Sequence, residues 1–252
     1  MSETEPIEQE STQPLTVGYF DCEAACWTSK YQNNRHFKKR LAIVWQWLSR
    51  YHPGQVLLDY GCGSGVLLKV LAEAGFQVTG VDISESMLAE ASKNLQTVLR
   101  KDNVRLVRVN EHFEGDYADR LYDGIVSLGV IEYVSDYPAL LARFGQLLKP
   151  GGFLILSFPN RESWLRRVER WVFQHPAFFR LFGLFPHLTG PDSYLNIQQC
   201  QFTVPELQSL LMTHDFEMGR VCYHVAPIVL EGLAGSPSTG MTAIAEFIKR
   251  KQ

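Results

Sequence analysis

The sequence predicts an open, doubly wound α/β domain, with a mostly parallel sheet covered by helices on both faces, and three observations predict it. Five short runs rich in Val, Leu and Ile recur at 55–60, 77–82, 104–109, 124–128 and 153–158. Helical apolar patterns at 66–74, 86–99 and 137–148 fall between them. The runs are continuously apolar rather than alternating, the pattern of strands buried on both sides by right-handed crossover helices.

The elements follow in order. Residues 1–18 carry Glu3, Glu5, Glu8 and Glu10 without an apolar run, and read as a disordered acidic tail, the opposite of a signal peptide. One domain, 19–252, follows. From about 20 to 51 the pattern is helical, with Leu41, Val44, Trp45 and Leu48 on one face, and it stops at His52-Pro53-Gly54. Gly75 follows the last periodic residue of the next helix, Ser84 caps the one after, and Lys149-Pro150-Gly151-Gly152 ends a third. Thr203-Val204-Pro205-Glu206 reads as an N-cap, a proline just inside a helix and an acid in its first turn. A final pair of strands at 217–225 and 241–249 completes the sheet, in a direction that periodicity alone does not give.

Between Asn160 and Phe202 the alternation breaks, which marks 160–202 as an aromatic-rich insertion. Trp164, Val168, Trp171, Phe178, Phe179, Phe182 and Phe185 crowd into it, interleaved with Arg161, Arg166, Arg167, Arg170 and Arg180. Three roles fit such a segment. It is a lid over an apolar pocket, or a peripheral membrane contact through 160–186 with arginines towards headgroups, or plain packing of the aromatic side on the sheet edge with the arginines solvated.

Composition narrows the functions. The balance of 24 Lys+Arg against 27 Asp+Glu, a net charge of −3, gives no basic field to draw nucleic acid. Five scattered cysteines make no disulfide framework, which fits a reducing cytoplasm, and no apolar run approaches the roughly 18 residues of a spanning helix. Cys22 and Cys26, with His36 nearby, lack the second pair of a zinc site, so no metal is expected.

The turn after the first strand, where such sheets bind ligands, reads Asp59-Tyr60-Gly61-Cys62-Gly63-Ser64-Gly65. Its glycines let the backbone approach a ligand, and the next helix presents N–H groups to a carboxylate. A dinucleotide fingerprint would have Gly or Ala where Val66 stands, and the carboxylate of Asp59 would repel a pyrophosphate but attract an ammonium or sulfonium ligand. The nearest enzyme alternative is a nicotinamide-dependent oxidoreductase, against which Asp59 and Val66 count, and a non-catalytic adenosylmethionine-binding module is the other.

The segments Val56-Leu57-Leu58-Asp59-Tyr60-Gly61-Cys62-Gly63-Ser64-Gly65 and Gly80-Val81-Asp82-Ile83-Ser84 resemble the first two motifs of class I S-adenosylmethionine-dependent methyltransferases. The resemblance runs from about Leu41 to Lys249. Ile125 to Val134 and Phe202-Thr203-Val204-Pro205-Glu206-Leu207 are similar to the small-molecule branch that includes quinone and tetrapyrrole O-methyltransferases, although Tyr133 stands where that branch commonly has His and Asp215 where it has Gly. The resemblance implies a Rossmann-like methyltransferase fold with S-adenosylmethionine as cofactor. It places Asp59 at the methionine end, Asp82 on both ribose hydroxyls, Ile83 against the adenine, Asn110 or Glu111 near the adenine amino group, and Gly61, Cys62, Gly63, Gly65 and Leu128 around the ligand. Tyr31, in a segment that often folds over the cofactor in this branch, turns its ring or hydroxyl to the sulfonium or simply packs on the sheet.

Methyl transfer from a sulfonium is an in-line displacement, governed by positioning, with a base needed only for hydroxyl acceptors. Tyr133 is the first candidate base, for its place in the family pattern, and His112 the second; His36, His187, His214 and His224 complete the set. Glu132 is either an exposed helix-start acid or a functional one. The expected substrate is a small apolar or amphipathic acceptor, methylated on O rather than N, with no nucleic-acid partner.

Overall fold

The computed structural model describes residues 13–98, 101–110, 112–181, 186–190, 193–224 and 235–251. Its centre is a seven-stranded sheet of β1 (Val56–Tyr60), β2 (Gln77–Asp82), β3 (Val104–Arg108), β4 (Tyr122–Leu128), β5 (Leu148–Pro159), β6 (Phe216–His224) and β7 (Thr242–Lys249), in the order β3-β2-β1-β4-β5-β7-β6. Pairings from β3 through β5 are parallel, whereas β7 runs antiparallel to both β5 and β6. Strand β1 lies between β2 and β4, so the order reverses there and a crevice opens beyond its carboxyl end.

Alternate residues of the central strands feed two cores. Leu58, Ile125, Leu154 and Leu156 pack with α5 (Tyr137–Leu147) and α9 (Val204–Met212) on one face, through Phe144 and Leu207. Leu57, Val126, Phe153 and Ile155 pack on the other against α2 (Arg35–Leu48) and α3 (Val66–Glu73), through Val44, Leu48, Leu68 and Leu71. This double burial is why the strands read as continuous apolar runs.

Caps set the helix boundaries. Ser84 accepts the amide of Met87 at the start of α4 (Glu85–Leu95), Asp136 accepts that of Ala139, and Thr203 forms a reciprocal capping box with Glu206. The Lys149–Gly152 turn ends no helix by itself: α5 is over at Leu147, and Leu148 already pairs with Tyr122 in the sheet.

The expected tail boundary at 18 moves. Helix α1 (Gln13–Asn33) begins at Gln13, and Thr16 is buried, so 13–18 belong to the folded body. The helical stretch then breaks at Asn34, whose side chain accepts the amide of His36 to start α2. The insertion forms α6 (Trp164–Gln174), α7 (Pro176–Leu181) and α8 (Pro186–Thr189) between β5 and α9. Its orientation departs only in part from the simple packing expectation: Val172 and Phe179 are buried and Arg161, Arg167 and Arg170 exposed, in line with it. Trp164, Val168, Trp171 and Phe178 are exposed, whereas Arg166 turns inward and donates to the Met241 carbonyl, the Glu169 carboxylate and the Tyr194 hydroxyl. The expected Phe182 and Phe185 lie outside the described residues.

Candidate active site

The chain leaves β1 through a turn in which Gly61 and Gly63 have positive φ, 76° and 52°. The amides of Gly61 and Cys62 both donate to the Val81 carbonyl, at 2.8 and 2.9 Å, which anchors the turn to β2. A Cβ on Gly61 would lie 2.2 Å from Val130 Cγ2, and one on Gly63 would lie 2.9 Å from Trp27 Nε1. Side chains are therefore excluded on both sides of the cleft. Gly65 plays another part than expected: it starts α3 facing Ala91 of α4 and does not line the cleft.

Asp82 closes β2 and faces this turn. Its Oδ2 accepts the Gly63 amide at 2.8 Å and its Oδ1 the Ser84 amide at 2.9 Å, which leaves further lone pairs for hydroxyl donors in the cleft. Burial pushes its carboxyl up to about 6 against the pull of those amides. Asp59 is more deeply placed and is not on the cleft wall; burial and the nearby Asp82 push it up to about 7. A cation arriving beside this pair lowers both.

Ile83, Cys62, Asn110 and Leu128 line the cleft as expected, joined by Met87, Val109 and Phe113. The Asn110 side chain is also the organiser of its loop: Oδ1 accepts the amides of His112 and Glu114, and Nδ2 donates to the Glu114 carboxylate. That loop holds Phe113 at φ 60° and turns it into the cleft. Glu111 lies outside the described residues.

Helix α1 roofs the cleft with Thr16, Phe20, Trp27 and Tyr31. It is held to α4 by Ser84 Oγ donating to Asp21 at 2.6 Å and by Asn94 Nδ2 donating to Thr28 at 2.8 Å. Behind Tyr31 stands Arg40 of α2, 7% exposed, with its Nη2 on the Tyr31 hydroxyl at 3.1 Å and its Nε without a hydrogen-bond partner among the described residues. A buried guanidinium with spare donors over a cleft invites a carboxylate. Nothing in the apolar periodicity marks Arg40, because it sits among Arg35, Lys38 and Lys39 on what reads as a solvated face.

A second cavity of about 560 Å³ adjoins the first and shares Trp27, Arg40, Leu128, Gly129 and Tyr133 with it. The insertion supplies one wall through Arg166, Glu169, Tyr194 and Gln198. Tyr133 stands at the junction, its ring edge-on to Phe20 at 5.3 Å. Burial and the adjacent Glu132 hold its phenol well above its ordinary value, so it keeps its proton at neutral pH. His112 is a correction: it is exposed on the Asn110 loop and lines neither cavity. His36 does line the second cavity, stacked on His224 at 4.6 Å, and burial depresses both imidazoles. Glu132 is buried rather than exposed at a helix start, at 6%.

The glycine turn, the Asp82 clasp, the buried Arg40 and the roofing helix together fit a ligand with a ribose and a zwitterionic tail, as S-adenosylmethionine has. Comparison with known proteins agrees. Residues 31–196 match the model of the methyltransferase domain family. The chain is 25% identical over 163 residues to the ubiquinone biosynthesis O-methyltransferase of Hydrogenovibrio crunogenus, covering 64% of this chain and 67% of that one. It is 28% identical over 188 residues to the protein of the same name from Idiomarina loihiensis, covering 69% and 76%. Among solved structures, the magnesium protoporphyrin IX methyltransferase of Synechocystis PCC 6803 superposes with a TM-score of 0.66 at 22% identity, over 94% of this chain and 99% of that one. The family match spans the glycine turn and Asp82, and the chain belongs to the methyltransferase domain family as a class I S-adenosylmethionine-dependent methyltransferase.

Proposed function

We propose that the enzyme methylates the oxygen of a small apolar or amphipathic acceptor held in the 560 Å³ cavity. The observation that carries this reading is the shared wall between that cavity and the cofactor cleft at Leu128, Gly129 and Tyr133, which brings an acceptor beside the donor. The two relatives are named as ubiquinone biosynthesis O-methyltransferases, which supports oxygen as the nucleophile.

Each group then has a part. Asp82 accepts from the ribose hydroxyls, Ile83, Met87 and Phe113 pack the adenine, Asp59 holds the ammonium end by charge, and Arg40 takes the carboxylate. Asn110, with its side chain committed to its own loop, contributes shape and backbone. Tyr31 orients Arg40. When bound, the cofactor supplies an electrophilic methyl group on a sulfonium. The protein's contribution is to set acceptor and donor in line at roughly 3–3.5 Å and to exclude water with α1.

The insertion serves as a lid over the acceptor cavity. Its exposed stripe of Trp164, Val168, Trp171 and Phe178 supports a peripheral membrane contact, through which a lipophilic acceptor would be drawn. No helix among the described residues is long and apolar enough to cross a membrane. The free thiols of Cys22, Cys26, Cys62, Cys200 and Cys222 fit a cytoplasmic setting.

The test is calorimetric titration with S-adenosylhomocysteine beside an Asp82→Ala variant and a nicotinamide dinucleotide control, followed by labelled methyl transfer to a panel of phenols, carboxylic acids and amines. Micromolar binding lost in the variant, with label on a hydroxyl, is the expected result. Label confined to amines overturns the O-methylation reading.

A further inference from the structure

Strand β4 ends at Leu128, and Gly129 turns the chain at φ 73° into a single helical turn at Ile131–Tyr133. The middle residue of that turn, Glu132, is pinned from behind: its carbonyl accepts the amides of Gln199 at 2.7 Å and Cys200 at 3.2 Å, where the insertion returns to the body. Its side chain lines the acceptor cavity, and its Oε2 is buried with no hydrogen-bond partner among the described residues. An acceptor-only oxygen left unpaired in an apolar wall is costly unless something donates to it. The charged and titratable groups around it are Arg40 from α2, Arg166 from α6, Tyr133 beside it, Tyr194, and Cys200. Arg166 already directs its Nε and Nη1 donors to the Met241 carbonyl, Glu169 and Tyr194. Rings of Tyr19, Trp27, Phe37, Phe158 and Tyr194 line the same cavity, together with the polar side chains of Lys30, Asn34 and His36.

We propose that Glu132 is the proton acceptor for an aromatic hydroxyl bound in this cavity, its unpaired Oε2 receiving the hydroxyl proton while the ring lies among the aromatic walls. This rests on the O-methylation reading above. As the acceptor oxygen bonds to the methyl carbon, the carbon–sulfur bond breaks with its electron pair left on sulfur. The hydroxyl proton passes to Glu132 and from there to solvent after product leaves. Burial pushes the Glu132 carboxyl up to about 7, against the pull of Arg40 and Arg166, which brings it towards a phenol, with an ordinary pKa of about 10. Tyr133 keeps its proton, His112 is exposed outside the cavity, and His36, which does line it, is made a much weaker base by burial and by Arg40, His224 and Arg166.

The experiment compares the full-length protein with Glu132→Gln on catechol and on 4-nitrocatechol, the second being ionised in free solution at pH 8, with S-adenosylhomocysteine affinity measured for both proteins. The expected result is unchanged affinity, a loss of about 100-fold in kcat on catechol, and restoration to near the wild-type rate on 4-nitrocatechol, which needs no base. Glu132→Asp should keep part of the catechol rate. Equal losses on both probes make Glu132 a merely structural residue and overturn the proposal; so does no loss on either. If the wild-type protein binds S-adenosylhomocysteine yet methylates neither probe, the aromatic-hydroxyl acceptor and this role of Glu132 fall together, while the methyltransferase assignment stands.

Discussion

The hydroxyl of Ser84 donates to Asp21 at 2.6 Å while its oxygen accepts the amide of Met87, so one side chain both caps α4 and latches the roofing helix over the cofactor cleft. The latch predicts a kinetic effect. Asp21→Ala removes one hydrogen bond to α1 but leaves the cap, and should raise the dissociation rate of S-adenosylhomocysteine about 5-fold. Stopped-flow displacement measures it, and an unchanged rate would show that α1 is held elsewhere.

Arg40 yields a prediction that separates the two ends of the cofactor. In the proposed binding mode Arg40, with its spare Nε and its place behind Tyr31, takes the amino-acid tail. Arg40→Met should weaken S-adenosylhomocysteine roughly 10- to 100-fold, as expected for a lost charge-assisted hydrogen bond in a buried site. Methylthioadenosine, which has no carboxylate, should bind both proteins alike. Equal losses for the two ligands would put Arg40 in a structural role.

These residues show what a sequence can and cannot disclose. Ser84, Thr203 and the Gly61 to Gly63 turn are legible because their work is local: a cap acts within three residues and a glycine turn within five. The strand runs are legible because burial on both faces leaves few polar positions. Arg40 is hidden because its burial depends on how α1 folds back over α2 and on the Gly129 turn, far along the chain. Gly65 and His112 mislead for the same reason. The first belongs to the glycine motif yet faces Ala91, and the second is near the third strand in sequence yet points to solvent. The inward turn of Arg166 depends on Glu169 and Tyr194 meeting it across the insertion, which helical spacing alone cannot show.

The exposed stripe on the insertion gives a surface prediction. Trp164 and Trp171 are 45% and 52% exposed on one side of α6, and their loss removes little internal packing. A Trp164→Ser, Trp171→Ser double variant should lose co-sedimentation with phosphatidylcholine–phosphatidylglycerol vesicles while keeping its affinity for S-adenosylhomocysteine. Equal co-sedimentation of the two proteins would mean that the stripe has no membrane role.

Asp59 couples cofactor binding to stability with opposite signs. An ordinary aspartate ionises near 3.9 in the unfolded chain, whereas burial and Asp82 raise Asp59 to about 7 in the folded protein. Between those values the folded state holds a proton that the unfolded state has lost, so this group's contribution to stability is full below about pH 4 and is lost as pH rises through 7. Asp59→Asn mimics the protonated form. Its melting temperature should match the wild-type protein below about pH 4 and exceed it increasingly as pH rises, by on the order of 5 °C or more at pH 8, which corresponds to at least about 2 kcal/mol in a domain of this size. The ligand's ammonium reverses the balance, because its charge, acting through the cleft wall, favours only the ionised carboxylate. Wild-type affinity for S-adenosylhomocysteine should therefore strengthen between pH 6 and about pH 8, and that dependence should flatten in Asp59→Asn, leaving the smaller share due to Asp82. Differential scanning fluorimetry and calorimetry across this range check both signs. A variant less stable than wild type at pH 8 would show that Asp59 is ionised and satisfied in the free protein, and that it binds the cofactor without an electrostatic cost to the fold.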